Sequence, residues 1–253
     1  MIAFTEGQLF GWLSAFLLPL FRVLAMMTSA PIVSNRAFTV RARVGLSAMV
    51  ALVVAPFVGP VDPTALSGPT GLVLVAREVL IGLTIGFVAR LLFAAFEIAG
   101  EAIGLQMGLS FAGFFDPQQG QANAVGRFVN TIAMLAFVAV NGPLALVATV
   151  VESFSMYPAG VASFAFVLER TPVQLGGEIF ALALNLALPF MALLLFASLS
   201  LGVISRVAPQ LQLMSIGFPV TIFAGLLMLT LGLPMIEAPL AASIERMLSH
   251  LIR

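Results

Sequence analysis

Long runs of apolar residues, separated by short polar or proline-containing segments, follow one another along the whole chain. A helix needs roughly 20 consecutive, mostly apolar residues to cross a bilayer. Six runs approach or exceed that length: Gly7–Pro31, Val44–Pro60, Gly71–Phe96, Phe128–Val151, Ile179–Ser205 and Leu211–Ile236. The last three contain no charged residue. This pattern predicts an all-α fold, a polytopic bundle of membrane helices within one domain.

Two interruptions fall inside apolar runs and not between them. Asn141-Gly142-Pro143 lies in the fourth run, and Pro189 lies in the fifth. Proline cannot donate a backbone hydrogen bond, and a break in a helix at membrane depth is tolerated only where protein or a water-filled cavity surrounds it. We therefore predict that these two runs are broken helices or hairpins buried in protein.

Composition supports a membrane environment and argues against a nucleic-acid partner. Hydrophobic residues make up 61% of the 253 residues and charged residues only 9%, whereas soluble domains carry about 25% charged residues. The 11 basic residues balance the 11 acidic ones, so no net positive charge attracts a phosphate backbone. The chain is therefore expected to work within a membrane.

Few residues in this chain could support catalysis or hold a cofactor. There is no cysteine, and the one histidine is His250, near the C-terminus. A histidine-dependent nucleophile, a haem site and a thiolate metal site are therefore not expected. Phosphate-binding motifs such as GxxxxGK[ST] and GxGxxG do not occur either. The sequence predicts a protein that is not an enzyme and that has no catalytic residue, metal or cofactor.

Five charges interrupt the third run and its continuation. A charged side chain at the bilayer centre costs about 2.5 to 3.5 kcal/mol on insertion scales, so they cannot all face lipid. The group consists of Arg77, Glu78, Arg90, Glu97 and Glu101. The last three fall on one helical stripe, because they are separated by seven and then four positions. Two interpretations stay open: an internal ion-pair cluster within the chain or between subunits, or a polar face that lines an aqueous path.

The same segment carries glycines at intervals of four residues. Small residues at this spacing let another helix backbone approach closely, which is how membrane helices associate without a hydrophobic drive. They are Gly82 and Gly86, followed by Gly100, Gly104 and Gly108. We predict that these positions are helix-packing sites, without a prediction of the partner.

An aromatic segment follows the last glycines. It runs from Gly108 through Leu109, Ser110, Phe111, Ala112, Gly113, Phe114 and Phe115 to Asp116 and Pro117. Non-helical backbone with bulky apolar side chains is tolerated at membrane depth only when it is buried or faces a cavity, and apolar side chains can close a pore by dewetting. The residues alone leave two alternatives, a gating loop or an ordinary loop at the membrane interface.

Three stretches resemble a known family. The residues from Gly104 to Ala112, with Phe115-Asp116-Pro117, are similar to the signature stretch of the FliR family, the export-gate subunits of the bacterial flagellar type III secretion system. Arg22 with the segment Pro31 to Arg36 extends the likeness near the start. Near the end it continues in Arg206, Pro209, Gln210, Gly217 and Pro219, which we interpret as a turn or inter-subunit motif.

The resemblance implies a function that the residues alone do not. It implies a subunit that forms, with FliP and FliQ, a channel through which unfolded flagellar proteins leave the cytoplasm, with FlhB and FlhA nearby. It places the chain in the bacterial inner membrane, at the flagellar basal body. It also implies that residues 1–178 are similar to FliP, that residues 179–253 form a FliQ-like hairpin and tail, and that the aromatic loop plugs the closed pore.

Two other functions are weighed against this one. A solute or proton transporter would use Arg90, Glu97 and Glu101 as a polar relay through the membrane. The equivalent subunit of a virulence type III secretion system would share most of the family motifs. The motifs quoted above favour the flagellar system.

Overall fold

The computed structural model describes residues 6–31, 33, 38–58, 69–109, 124–160, 172–207 and 217–251. These residues form seven α-helices and no strand. The helices are α1 (Glu6–Ser29), α2 (Val40–Val54), α3 (Pro69–Gln106), α4 (Ala124–Ala139), α5 (Gly142–Met156), α6 (Pro172–Val207) and α7 (Phe218–Leu251). A short 3₁₀ turn, Ala55–Phe57, follows α2. The predicted all-α, polytopic membrane fold is confirmed.

Helix length and composition agree with a membrane protein. Four described segments are long and apolar enough to cross a bilayer: Gly11–Ser29, Val40–Phe57, Pro69–Gln106 and Gly176–Val207. The consecutive helices α4 and α5 make a fifth if they are counted as one broken span. In the sixth predicted run, the apolar segment Phe218–Gly232 is shorter than a span.

The two predicted interruptions have different outcomes. Asn141 adopts left-handed backbone angles, with φ 58°, and separates α4 from α5, so the break predicted there is confirmed. The break predicted at Pro189 is wrong, because α6 continues through that residue from Pro172 to Val207. One missing donor can be tolerated inside a long membrane helix, since neighbouring groups and small local adjustments satisfy the carbonyl that it frees.

The start of α2 and the end of α3 both lie beyond the limits of their apolar runs. α2 begins at Val40, four residues before the predicted run, because the Thr39 side chain caps it by accepting a hydrogen bond from the Ala42 N–H at 3.3 Å. Arg41 and Arg43 therefore lie in the helix, ahead of the apolar run. α3 extends past the apolar run to Gln106, as the helical stripe through Glu101 predicts, because Glu97 and Glu101 are compatible with a helix.

The chain divides into two compact units. The first contains residues 1–91, 141–171 and 244–253, hence α1, α2, the first part of α3 and α5. Its buried side chains include Leu18, Val23, Met26, Ile81 and Val150. The second contains residues 92–140 and 172–243, hence the end of α3, α4, α6 and most of α7. Its buried side chains include Phe96, Met107, Val129, Phe137 and Leu194.

Candidate functional site

A buried cluster of charges occupies the first unit, and Arg22 of α1 is its centre. The Arg22 side chain is fully buried. Its Nε donates to the Glu78 Oε2 at 2.6 Å, its Nη1 to the Ser153 Oγ at 2.9 Å, and its Nη2 to the Tyr157 carbonyl at 2.8 Å. The guanidinium also lies over the Phe154 ring, 3.7 Å from the centroid, in cation–π geometry. Each of the three guanidinium nitrogens of Arg22 therefore donates a hydrogen bond.

Glu78 joins Arg22 to a second buried arginine. The Arg77 Nη1 donates to the Glu78 Oε1 at 3.0 Å and to the Pro158 carbonyl at 3.1 Å. Exposure is 2% for Arg77 and 0% for Glu78. The carboxylate thus lies between two guanidiniums, one on each oxygen, which is how buried charges are tolerated.

The cluster also stabilises the C-terminal end of α5. The last carbonyls of a helix have no partner within it, and they attract positive charge. α5 has no basic residue in its last turn. Arg22 from α1 and Arg77 from α3 instead donate to the carbonyls of Tyr157 and Pro158, directly after α5. Three segments that are distant in sequence are therefore held together by one set of hydrogen bonds.

Gly82 and Gly86 of α3 pack against α1. A Cβ at Gly82 would overlap the Arg22 carbonyl oxygen and lie 2.9 Å from the Ala25 Cβ. A Cβ at Gly86 would overlap the Ser29 Oγ and lie 2.7 Å from the Met26 carbonyl oxygen. Since contacts advance along both helices in the same direction, α1 and α3 are parallel here, and only glycine permits this separation.

The other three predicted charges are not part of this cluster. Arg90 is exposed, Glu97 and Glu101 are half-buried, and no ion pair joins any of them to another described residue. Within the described chain, the buried cluster thus includes Arg77 and Glu78 but not Arg90, Glu97 or Glu101. The physical reason is that α1 ends at Ser29, level with Gly86, so α1 has no turn left to cover Arg90.

In the second unit, glycines join α3 to α4. A Cβ at Gly100 would lie 2.8 Å from the Gly126 Cα and 3.0 Å from the Val125 carbonyl oxygen. Further along, the rings of Phe93 and Phe137 meet edge to face, with centroids 5.2 Å apart. These two contacts make α3 and α4 antiparallel. Gly104 is buried, and its carbonyl accepts from the Leu109 N–H at 3.1 Å.

The end of α3 is fixed against the start of α7. Gly108 has a φ of 82°, a backbone conformation that terminates helices and favours glycine. The Thr221 Oγ1 donates to the Met107 carbonyl at 3.2 Å, and the buried Met107 side chain fills the space beside Gly225. The chain therefore leaves α3 from a defined position.

Several predicted site residues lie outside the described residues. These are Ser110, Phe111, Ala112, Gly113, Phe114, Phe115, Asp116 and Pro117 of the aromatic segment, together with Pro209 and Gln210. Of the remaining turn motif, Arg206 is exposed in the last turn of α6, Gly217 is buried, and Pro219 is exposed at the start of α7. Within the described part of the chain, no three His, Cys, Asp or Glu side chains are grouped to hold a metal ion.

Comparison with known proteins identifies the family. Residues 13–247 match the model of a family described as bacterial export proteins, family 1. The chain belongs to this family. The flagellar biosynthetic protein FliR of Pectobacterium carotovorum is 40% identical over 93% of this chain and 90% of its own length. FliR of Escherichia coli K12 is 38% identical over the same shares, and FliR of Bacillus subtilis 30% identical over 85% and 84%. The FliR resemblance seen in the sequence is confirmed. The family is not a known enzyme family.

Sequence reasoning did not find the centre of the cluster. In the sequence, Arg22 stands out only as a point of family likeness, and no pattern distinguishes Ser153, Phe154 and Tyr157. One signal was available: an arginine in an apolar helix requires a buried acceptor, and Glu78 is an acidic residue inside another such helix. The carbonyl acceptors carry no sequence signal, because every residue has one.

Proposed function

We propose that this protein is a non-enzymatic subunit of the flagellar type III protein export gate, in the bacterial inner membrane at the basal body. It forms with FliP and FliQ the channel through which unfolded flagellar proteins are secreted, and FlhB and FlhA are its neighbours. The observation that carries the proposal is the match to bacterial export proteins over residues 13–247, with relatives named flagellar biosynthetic protein FliR. These relatives favour the flagellar gate over its virulence counterpart.

The geometry suits a conduit subunit. The charged groups that are fully buried hold α1, α3 and α5 together through direct hydrogen bonds. Close glycine contacts pack the helices without bulky side chains between them. A transporter that relays protons through Arg90, Glu97 and Glu101 is less well supported, because the family is one of export proteins.

We also propose that Phe111, Phe114 and Phe115 plug the closed pore. Support comes from the family resemblance and from the defined start of the loop at Met107 and Gly108. We further infer that residues 1–178 correspond to FliP and residues 179–253 to FliQ. α6 and α7, two long consecutive helices, are of the kind that a hairpin requires.

Genetic replacement tests the function. In a motile bacterium that lacks its own FliR, this chain should restore swimming and the secretion of hook and filament proteins to the medium. The same cells must accumulate the chain in their membranes, which separates inactivity from failed expression. If the chain accumulates and co-purifies with no export subunit, and secretion stays absent, the proposed function is wrong.

Replacing residues 110–117 with a shorter Gly/Ser linker tests the plug. Gly108 and Leu109 are kept, because they end α3. Assembly with the other gate subunits should be unchanged, while ion leakage through the closed gate should rise. A matched control changes only Phe111, Phe114 and Phe115 to Leu, which keeps an apolar loop and should leak less. A gate that stays tight without the loop contradicts the plug proposal.

A further inference from the structure

Arg90 lies in the middle of α3, the longest of the described helices, and its side chain has no partner in the described chain. α3 has 38 residues, and Arg90 is exposed on it. Its side chain forms no ion pair or hydrogen bond with another described residue. An arginine carries five donors and stays charged at any physiological pH, so this position requires either water or an acceptor from elsewhere.

The spacing of charges on α3 excludes a purely lipid environment. A helix of this length extends about 57 Å, whereas the hydrocarbon core is about 30 Å thick. Residues 79–89 carry no charge, but they cover only about 17 Å. Any 20-residue segment of α3 therefore includes Glu78 or Arg90. Glu78 is satisfied within the chain by Arg22 and Arg77, and Arg90 is not.

Arg90 continues an exposed apolar stripe. Leu83 and Phe87 are exposed, and they precede Arg90 by seven and three residues, so the three side chains lie along one face of the helix. An apolar stripe that ends in a guanidinium is complementary to an apolar helix that carries a carboxylate at the matching level.

We propose that another subunit of the export gate covers this face of α3 and pairs an Asp or Glu side chain with Arg90. The inference rests on the proposed function, since it requires an assembly. A second copy of this chain fits less well. Copies in a membrane insert with the same orientation, so their helices are level, and Glu97 and Glu101 lie about 10 and 16 Å further along the axis than Arg90.

Three substitutions test the pairing in cells that lack their own FliR and carry the affinity-tagged chain. Arg90→Leu should lower the amount of co-purified gate subunits at least about tenfold, because it leaves a desolvated carboxylate unpaired. Arg90→Lys should retain more of the complex than Arg90→Leu. The motility lost in Arg90→Glu should return in revertants that exchange an acidic residue of another gate subunit for Lys or Arg.

Arg41→Leu is the matched control, because Arg41 is exposed in the first turn of α2, where a helix end can reach water. It should leave the complex within about twofold of the wild-type amount. A photo-crosslinker in place of Phe87 gives an independent measurement, and it should join the chain to the subunit in which the revertants arise.

Different failures have different meanings. If Arg90→Leu assembles like the wild type, the guanidinium faces lipid or water and the inference is overturned. A crosslink between two copies of this chain overturns it as well. If the unaltered chain itself co-purifies with no gate subunit and restores no motility, the proposed function fails first, and the pairing falls with it.

Discussion

The first and last parts of α3 use similar residues for different purposes. Up to Gly86, Glu78 and the glycines contact α1, and Arg77 and Glu78 are buried in a network of hydrogen bonds. From Glu97 onward, a glycine again contacts a neighbouring helix, in this case α4. Glu97 and Glu101, however, are half-buried and form no ion pair with another described residue. The glycine spacing alone does not distinguish the two regions.

The difference shows what determines the fate of a charge in an apolar helix. Where another helix of the same chain supplies an opposite charge and polar groups, the side chain is buried and holds the unit together. Where the neighbouring helix offers a glycine, as Gly126 does beside Glu101, the backbones approach but the carboxylate has no counter-charge there. The buried charges of the first region are paired within the chain, and the carboxylates of the second have no ion pair among the described residues.

Removing the central carboxylate should have the largest effect. Glu78→Gln leaves the guanidiniums of Arg22 and Arg77 buried without this counter-charge, and we expect a loss of about 3 to 5 kcal/mol in the free energy of unfolding. Arg22→Gln should cost less, because Arg77 still neutralises Glu78. The amount of folded protein in membranes and the midpoint of thermal denaturation in detergent measure both effects.

Glu152→Gln is the control for this prediction. Glu152 is exposed and directly precedes Ser153, which accepts from Arg22, so the change should stay within about 0.5 kcal/mol of wild type. Equal losses for Glu78→Gln and Glu152→Gln would show that the buried network does not stabilise the first unit.

Substituting Gly82 should have the next largest effect. The Cβ of Gly82→Ala would overlap the backbone carbonyl oxygen of Arg22, which can yield only if the helices separate, at a cost of about 1 to 3 kcal/mol. Gly45→Ala in α2 has open space around the new methyl group and should instead stabilise the helix by roughly 0.5 to 1 kcal/mol. Thermal denaturation that ranks the two variants in the opposite order would contradict the close α1–α3 contact.

In the second unit, the two partners of one glycine contact should respond unequally. The Cβ of Gly100→Ala would meet backbone atoms of α4, at 2.8 and 3.0 Å, whereas that of Gly126→Ala would first meet the Glu101 Cγ at 3.0 Å. A side chain moves more easily than a backbone, so we expect roughly 1 to 2 kcal/mol for Gly100→Ala and less than about 1 kcal/mol for Gly126→Ala. Thermal denaturation of both variants, each compared with Gly45→Ala, would detect the inequality. Equal losses would show that Glu101 is as rigidly held as the backbone.

Much of the fold could be predicted from the sequence because helices in lipid satisfy their own backbone. Apolar runs therefore indicate helices reliably, and Asn141-Gly142-Pro143 marked a true break. Pro189 misled the prediction because a single proline can interrupt a hydrogen bond without ending the helix. Glu97 and Glu101 did not hide the continuation of α3 beyond Phe96, because a charge sets the environment of a helix and not its boundary.

The candidate site was only partly predictable, since it depends on which helices are neighbours. Arg77 and Glu78 could be selected as costly charges from one helix alone. Their partner Arg22 and the carbonyls after α5 come from segments 55 residues or more away in the sequence, as the 56-residue separation of Arg22 and Glu78 illustrates. A periodic pattern carries no information about such pairs. The different surroundings of Glu78 and Arg90 have the same origin, because α1 ends before it could cover Arg90.

The smallest effect is expected at the break before α5, where the chain enters the first unit again. Asn141 has a φ of 58°, and its side chain makes no capping hydrogen bond to α5. We therefore expect its tolerance of left-handed backbone angles to matter more than its side-chain amide. Asn141→Ala should cost about 1 kcal/mol, whereas Asn141→Gly should stay within about 0.5 kcal/mol of wild type. Thermal denaturation of the two variants separates backbone strain from lost hydrogen bonds. Equal losses for Ala and Gly would mean that the amide itself holds the break, and that α5 is positioned by more than its carbonyl contacts with Arg22 and Arg77.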